Sequence, residues 1–155
     1  IGKIRLCKCP LESPQIQCLG VDPILDEIPD CAALQQLLAS ITVPVKTLLL
    51  DQERLFCGIG NYLADEILYQ AKIHPQSAAN LLTKAGIAAL VSAVKCVTST
   101  AVEAKTNFVD FPADWLYHQR WDKVKSSKQQ VLMPDGKLKL DVFCQMFRSF
   151  FVDTM

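Results

Sequence analysis

The chain has 155 residues, half of them hydrophobic, which suits one domain with a buried core. Sixteen basic residues balance sixteen acidic ones, so no global cationic field draws the chain to nucleic acid, and any phosphate contact has to come from one face. No apolar run is read as reaching the roughly 20 residues that span a bilayer, and the seven scattered cysteines contain no Cys-x-x-Cys pair, which argues against a membrane span and a structural zinc.

The cysteines are expected to be free thiols in a reducing compartment. The chain opens on Ile1 rather than Met, which reads as a fragment, a processed form or an incomplete gene product. Charge is uneven along it. Leu19 to Asp30 holds four acids and no base, whereas Tyr117 to Leu140 holds six bases against two acids. An ordinary solvated face explains that basic stretch as well as a binding face does.

Lys3 to Cys9 reads as a short strand, with Ile4 and Leu6 alternating with Lys3 and Arg5. Pro10, Pro14, Pro23 and Pro29 mark an extended linker over residues 11–30. A helix is predicted over Cys31–Ala39 with Asp30 as its N-cap. Val45–Asp51 is a short helix after Pro44, broken by a segment ending Cys57-Gly58-Ile59-Gly60. A further helix starts near Asn61, with Leu63, Ala64, Ile67, Leu68 and Ala71 on one face, and stops near Ile73-His74-Pro75. The next runs from about Thr83 to Ala104, with Ile87, Leu90, Val91, Val94, Val97 and Ala101 at helical spacing.

Beyond Phe111-Pro112 the pattern changes. Trp115, Tyr117 and Trp121 fall on one parity, and Pro134-Asp135-Gly136 between two apolar stretches predicts a β-hairpin.

The chemistry sits between Lys46 and Pro75, which reads as helix, Gly-rich turn, helix. Gly58 and Gly60 permit backbone angles closed to other residues and let another backbone approach. Asn61 is a suitable N-cap, and helix-start N–H groups attract anions such as a phosphate. Lys46 on the preceding helix could reach the same anion. A Gly-x-Gly alone more often marks a tight helix–helix turn buried in a core.

The longer string is more specific. Leu49-Leu-Asp-Gln52, Gly58-Ile-Gly-Asn61, Ala64-Asp-Glu-Ile-Leu68 and Ile73-His-Pro75, in that order and spacing, resemble the helix-two-turns-helix motif of the formamidopyrimidine-DNA glycosylase (Fpg/Nei) family. Ile4-Arg5-Leu6 is similar to the last strand of that family's N-terminal β-sandwich. Leu19 to Pro23 is similar to its interdomain linker. Phe111-Pro-Ala-Asp-Trp115 through Trp121 resembles the approach to the C-terminal hairpin of plant and fungal members, whose finger lacks zinc.

The resemblance implies a mainly α fold: a helix-two-turns-helix domain (31–110) between a strand remnant (1–10, then the linker 11–30) and a zincless finger-like β-hairpin (111–142), with an atypical tail (143–155). It implies DNA-phosphate contacts from Lys46, Gly58, Gly60 and Asn61, with no metal and no cofactor. Asp65 and Glu66 are expected to be surface or turn-supporting carboxylates. The family's catalytic N-terminal proline and adjacent glutamate have no counterpart at Ile1-Gly2-Lys3, so no catalytic residue is assigned. Arg148 lacks the glycines that flank the family's DNA-gripping arginine.

The expected function is the DNA-docking half of a base-excision-repair DNA glycosylase/AP lyase. Its expected partner is double-stranded DNA containing oxidised bases or abasic sites, bound by a monomer with no membrane involved. A nuclear location is expected, with an organelle as a second site. The alternatives are a non-catalytic DNA- or RNA-binding module and a protein-interaction domain descended from the same family.

Overall fold

Helices dominate the computed structural model, which describes residues 6–120, with the side chains of 119 and 120 excepted. These residues fall within one compact unit, Ile1–Trp121. The predicted 111–142 hairpin beyond residue 120, the tail and most of the predicted N-terminal strand lie outside the described residues. Residues 6–9 carry no strand.

Two short helical turns occupy what the sequence presents as an extended linker. A 3-10 turn spans Pro10–Glu12 and α1 spans Pro14–Gln17, each starting on a proline, whose fixed φ suits a first helical turn. Helix α2 (Cys31–Leu38) begins where predicted, with Asp30 Oδ1 accepting from the Ala32 and Ala33 N–H groups at 2.9 and 2.8 Å. Helix α3 (Val45–Leu50) follows Pro44.

Helix α4 (Asn61–Ala71) ends at Lys72, which takes the left-handed conformation at φ 56°. The Ile73 N–H then bonds back to the Leu68 carbonyl at 3.0 Å. This C-terminal turn therefore stops α4 before Pro75 can exert its effect.

Helix α5 (Lys84–Glu103) is capped by Thr83, whose Oγ1 accepts from the Gly86 N–H at 3.1 Å. By length and composition it is apolar enough to cross a bilayer, which corrects the expectation that no run reaches that length. Its Ile87, Leu90, Val94, Val97 and Ala101 are buried in the core, and it packs against α4 and α2. A 3-10 turn (Phe108–Asp110) leads to α6 (Leu116–Arg120). The Trp115/Tyr117 alternation is thus not a strand: Trp115 is buried just ahead of a helix.

The core has α4 at its centre. Ala64 to Leu68 are five consecutive buried residues, because α3, α5 and α6 all pack against this helix. The Ile73-His-Pro75 motif closes the other side. The Lys46 and Val45 N–H groups at the start of α3 donate to the Pro75 and Ser77 carbonyls, at 3.2 and 2.8 Å. The first two N–H groups of α3 are thereby satisfied by carbonyls 32 and 29 residues downstream.

Candidate nucleic-acid interface

The α3–α4 connection is built around one side chain. Gln52 Nε2 donates to the Leu50 and Ile59 carbonyls, both at 3.0 Å, and its Oε1 accepts from the Gly58 N–H at 2.8 Å. One amide thus clasps both ends of the turn. Gly58 has φ +79°, in the left-handed region that favours glycine. Ile59 is buried and anchors the turn, while Gly58, Gly60 and Asn61 face outward.

A second strand of chain supports the turn from behind. The Gly20 N–H donates to the Gln52 carbonyl at 2.8 Å, and Val21 pairs in parallel with Phe56, exchanging bonds with Leu55 and Cys57 at 3.0 Å. The approach is so close that a Cβ on Gly20 would lie 2.8 Å from the Leu55 carbonyl carbon and oxygen.

The remaining predicted residues fall into different roles. Gly60, not Asn61, is the N-cap of α4, and Asn61 is the first helical residue with no side-chain cap bond. The helical ladder starts with the Ala64 N–H on the Gly60 carbonyl at 2.9 Å. The first-turn N–H groups therefore lie ahead of the ladder and project at the N-terminal end, and the exposed Asn61 side chain is not consumed by capping. Gly60 has φ −96° and ψ −178°, an extended conformation any residue adopts. Its distinguishing property is space: no atom lies within 4 Å of where a Cβ would stand.

Lys46 does not extend freely into solvent. Its ammonium lies 2.8 Å from Asp65 Oδ1, with side-chain exposures of 11% and 3%. Asp65 stands four residues after Asn61, hence on the same side of α4. The ion pair accordingly holds the Lys46 charge beside the opening turns of that helix.

Both carboxylates expected at the surface are buried, Asp65 at 2% and Glu66 at 1% exposure. The correction follows from the packing of α4, which leaves no solvent side over Ala64–Leu68. Glu66 accepts from Gln70 Nε2 at 2.8 Å and from the Tyr117 N–H at 3.2 Å, 51 residues away. It thereby ties the start of α6 to α4. Burial pushes its carboxyl up from 4.5 to about 7, opposed by those hydrogen bonds.

Next to Asn61, Tyr62 packs in an aromatic group with Phe108, Phe111 and Tyr117, at centroid distances of 5.6 to 6.3 Å. The Phe111-Pro-x-x-Trp115 motif serves this packing, with both aromatics 4% exposed. His118 Nε2 donates to the Phe111 carbonyl at 3.2 Å, completing the corner.

Two helices joined by a clasped double turn, with bare backbone and an asparagine at the second helix's start, define a helix-two-turns-helix domain. Residues 19–112 match the formamidopyrimidine-DNA glycosylase H2TH domain, and the chain belongs to that family. Among curated relatives, the formamidopyrimidine-DNA glycosylase of Arabidopsis thaliana is 39% identical over 122 residues, covering 79% of this chain and 31% of the relative. That of Paracoccus denitrificans is 37% identical over 103 residues, covering 66% and 36%.

Among solved structures, MutM (Fpg) of Thermus thermophilus superimposes with a TM-score of 0.54 at 36% identity, covering 64% of this chain and 36% of that one. Lactococcus lactis Fpg in complex with abasic-site DNA gives 0.51 at 29% identity, covering 56% and 31%. The chain spans about a third of the length of the relatives it matches.

Proposed function

We propose that this domain docks double-stranded DNA at a damaged or abasic site, the backbone phosphates seating against Gly58, Gly60 and Asn61 with the Lys46 charge alongside. The observation that carries the reading is the exposed turn itself. It offers bare backbone, an uncommitted asparagine amide and first-turn N–H groups at the head of an 11-residue helix, with the Lys46–Asp65 ion pair close by. Helix N-termini of this kind suit anions. Contacts of this type set the register and bend of the duplex and carry little sequence information.

The wider activity belongs to the same proposal. In a full-length protein the domain would serve base-excision repair, where a glycosylase/AP lyase removes oxidised bases extruded from the duplex. These 155 residues are expected to bind as a monomer without excising, and a nuclear location, with an organelle second, fits that role. A zincless finger-like hairpin would follow α6 in the part of 111–142 beyond residue 120.

The test is fluorescence anisotropy of the 155-residue chain on a duplex carrying a tetrahydrofuran abasic-site analogue, across a salt series. Binding should weaken steeply with salt, the log–log slope falling by about 0.9 for each phosphate contact. Asn61→Ala should raise Kd about tenfold, as expected for one hydrogen bond to a charged group. Absence of binding at low salt, or an Asn61→Ala protein that binds like its parent, would overturn the reading.

A further inference from the structure

We infer that Gln52 is the positioning residue of the DNA-docking turn: its side-chain amide sets the conformation in which Gly58, Gly60 and Asn61 are presented to a phosphate. This inference rests on the docking role proposed above. It adds a residue that itself lies behind the surface and is half-buried.

The geometry assigns the role. Residues 51–60 contain no regular hydrogen-bond ladder, so their shape depends on bonds from elsewhere. Two of the three bonds from the Gln52 amide, to the Gly58 N–H and the Ile59 carbonyl, cross the loop to the residues immediately before Gly60. The third, to the Leu50 carbonyl, fixes the side chain to the end of α3. The donor and acceptor demands of one primary amide match two carbonyls and one N–H, and no other side chain of that length provides both functions.

The backbone of Gln52 is itself held, through the Gly20 N–H on its carbonyl. Rotation of the clasp is therefore resisted from both sides. Gly58 gains most from it: its left-handed φ of +79° aims its N–H inward at Gln52. With that N–H directed inward, Gly58 offers the turn's outer surface bare backbone alone, and the polar groups there are left to Gly60 and Asn61. Nothing in this arrangement is needed to fill the core, since Leu55, Phe56 and Ile59 do that.

A residue that only stabilised the domain would lower the melting temperature and leave the affinity of the folded protein unchanged. A positioning residue changes affinity through the same site as Asn61. The experiment uses the full 155-residue chain and the tetrahydrofuran duplex. Gln52→Met keeps length and volume and removes all three bonds.

The expected result is a folded protein whose Kd rises at least fivefold, with a salt slope shallower by up to about 0.9. The double variant with Asn61→Ala should lose less affinity than the two single losses combined. The Gly58 amide resonance should shift upfield, while those of Leu48 and Leu90 stay in place. Gln52→Asn, one methylene too short to bridge Leu50 and Gly58, should behave likewise and replaces Gln52→Met if that variant does not fold.

Wild-type affinity in a folded Gln52 variant, or a loss that adds to that of Asn61→Ala, would overturn the inference while the docking reading stood. If the parent chain failed to bind, or Asn61→Ala bound as well as it, the docking reading would fall and this inference with it.

Discussion

Replacing Glu66 by glutamine should change how the stability of this domain depends on pH. Glu66 is 1% exposed, and burial raises its carboxyl to about 7 from an ordinary 4.5. The folded state then binds more protons than the unfolded state between those values. Stability is accordingly greatest at low pH, falls as pH rises through the window from 4.5 to about 7, and levels off above it. Integrated from pH 5 to pH 8, the loss assigned to this one group is about 2–3 kcal/mol.

Glu66→Gln removes the ionisation and keeps the length. Its oxygen can accept the Tyr117 N–H, and Gln70 can turn its amide to offer oxygen in place of nitrogen. Urea unfolding followed by tryptophan fluorescence at pH 5, 6, 7 and 8 in constant salt gives the comparison. The variant should gain about 2–3 kcal/mol on its parent between the two extremes, at unchanged m-value. Because the quantity is a difference between two proteins, contributions common to both cancel. A difference that stays flat across the series, or grows as pH falls, would refute a buried Glu66 carrying a proton near neutrality.

Three further outcomes follow from the packing. Lys46→Met leaves the Asp65 carboxylate buried without its ammonium and should cost about 2–4 kcal/mol in urea unfolding, most of it regained when Asp65→Asn is added. Gly20→Ala drives a methyl to 2.8 Å from the Leu55 carbonyl group and should cost about 1–3 kcal/mol, seen as a lower melting temperature. Asp30→Ala removes the acceptor for two N–H groups of α2 and should cost about 1 kcal/mol, with DNA affinity unchanged.

Much of the helical framework is legible in the sequence because its signals are local. Asp30 and Thr83 cap α2 and α5 where their side-chain chemistry demands it, and the apolar spacing of Ile87 to Ala101 marks the buried face of α5. The four motif strings also identify the turn. What the strings do not reveal is which of their residues face outward.

Asp65 and Glu66 read as surface carboxylates because burial on several sides of α4 comes from α3, α5 and α6, and helical periodicity describes only one face. The available signal was Lys46, a cation two residues into a short apolar helix with no local acid to pair with. The N-cap assignment failed by one residue because Gly60 takes the extended cap conformation and leaves Asn61 inside the helix. The left-handed Lys72 closes a local turn on Leu68 and Tyr69 without the glycine that would signal it, and the short helix at Leu116 is tied to α4 through Glu66, 51 residues away. Gln52 sits in plain view in the Leu-Leu-Asp-Gln string, yet its clasp on Gly58 and Ile59 exists only once the turn has closed.

The same buried charges bear on how a chain with no net charge could present the proposed phosphate site. Two carboxylates lie one turn behind Asn61, and at full charge they would oppose an approaching anion. Asp65 is 2.8 Å from the Lys46 ammonium, so that pair contributes a dipole rather than a net charge. Glu66, raised to about 7, is protonated in a large fraction of molecules at neutral pH. The field at the head of α4 is then set mainly by the positive end of the helix and its first-turn N–H groups, which act within a turn of the terminus. Composition averages over the whole chain and misses this arrangement: of the acids around the turn, Asp65 is paired with Lys46 and Glu66 is raised by burial, whereas Asp22 and Asp26 act on Cys57 at the turn's other end.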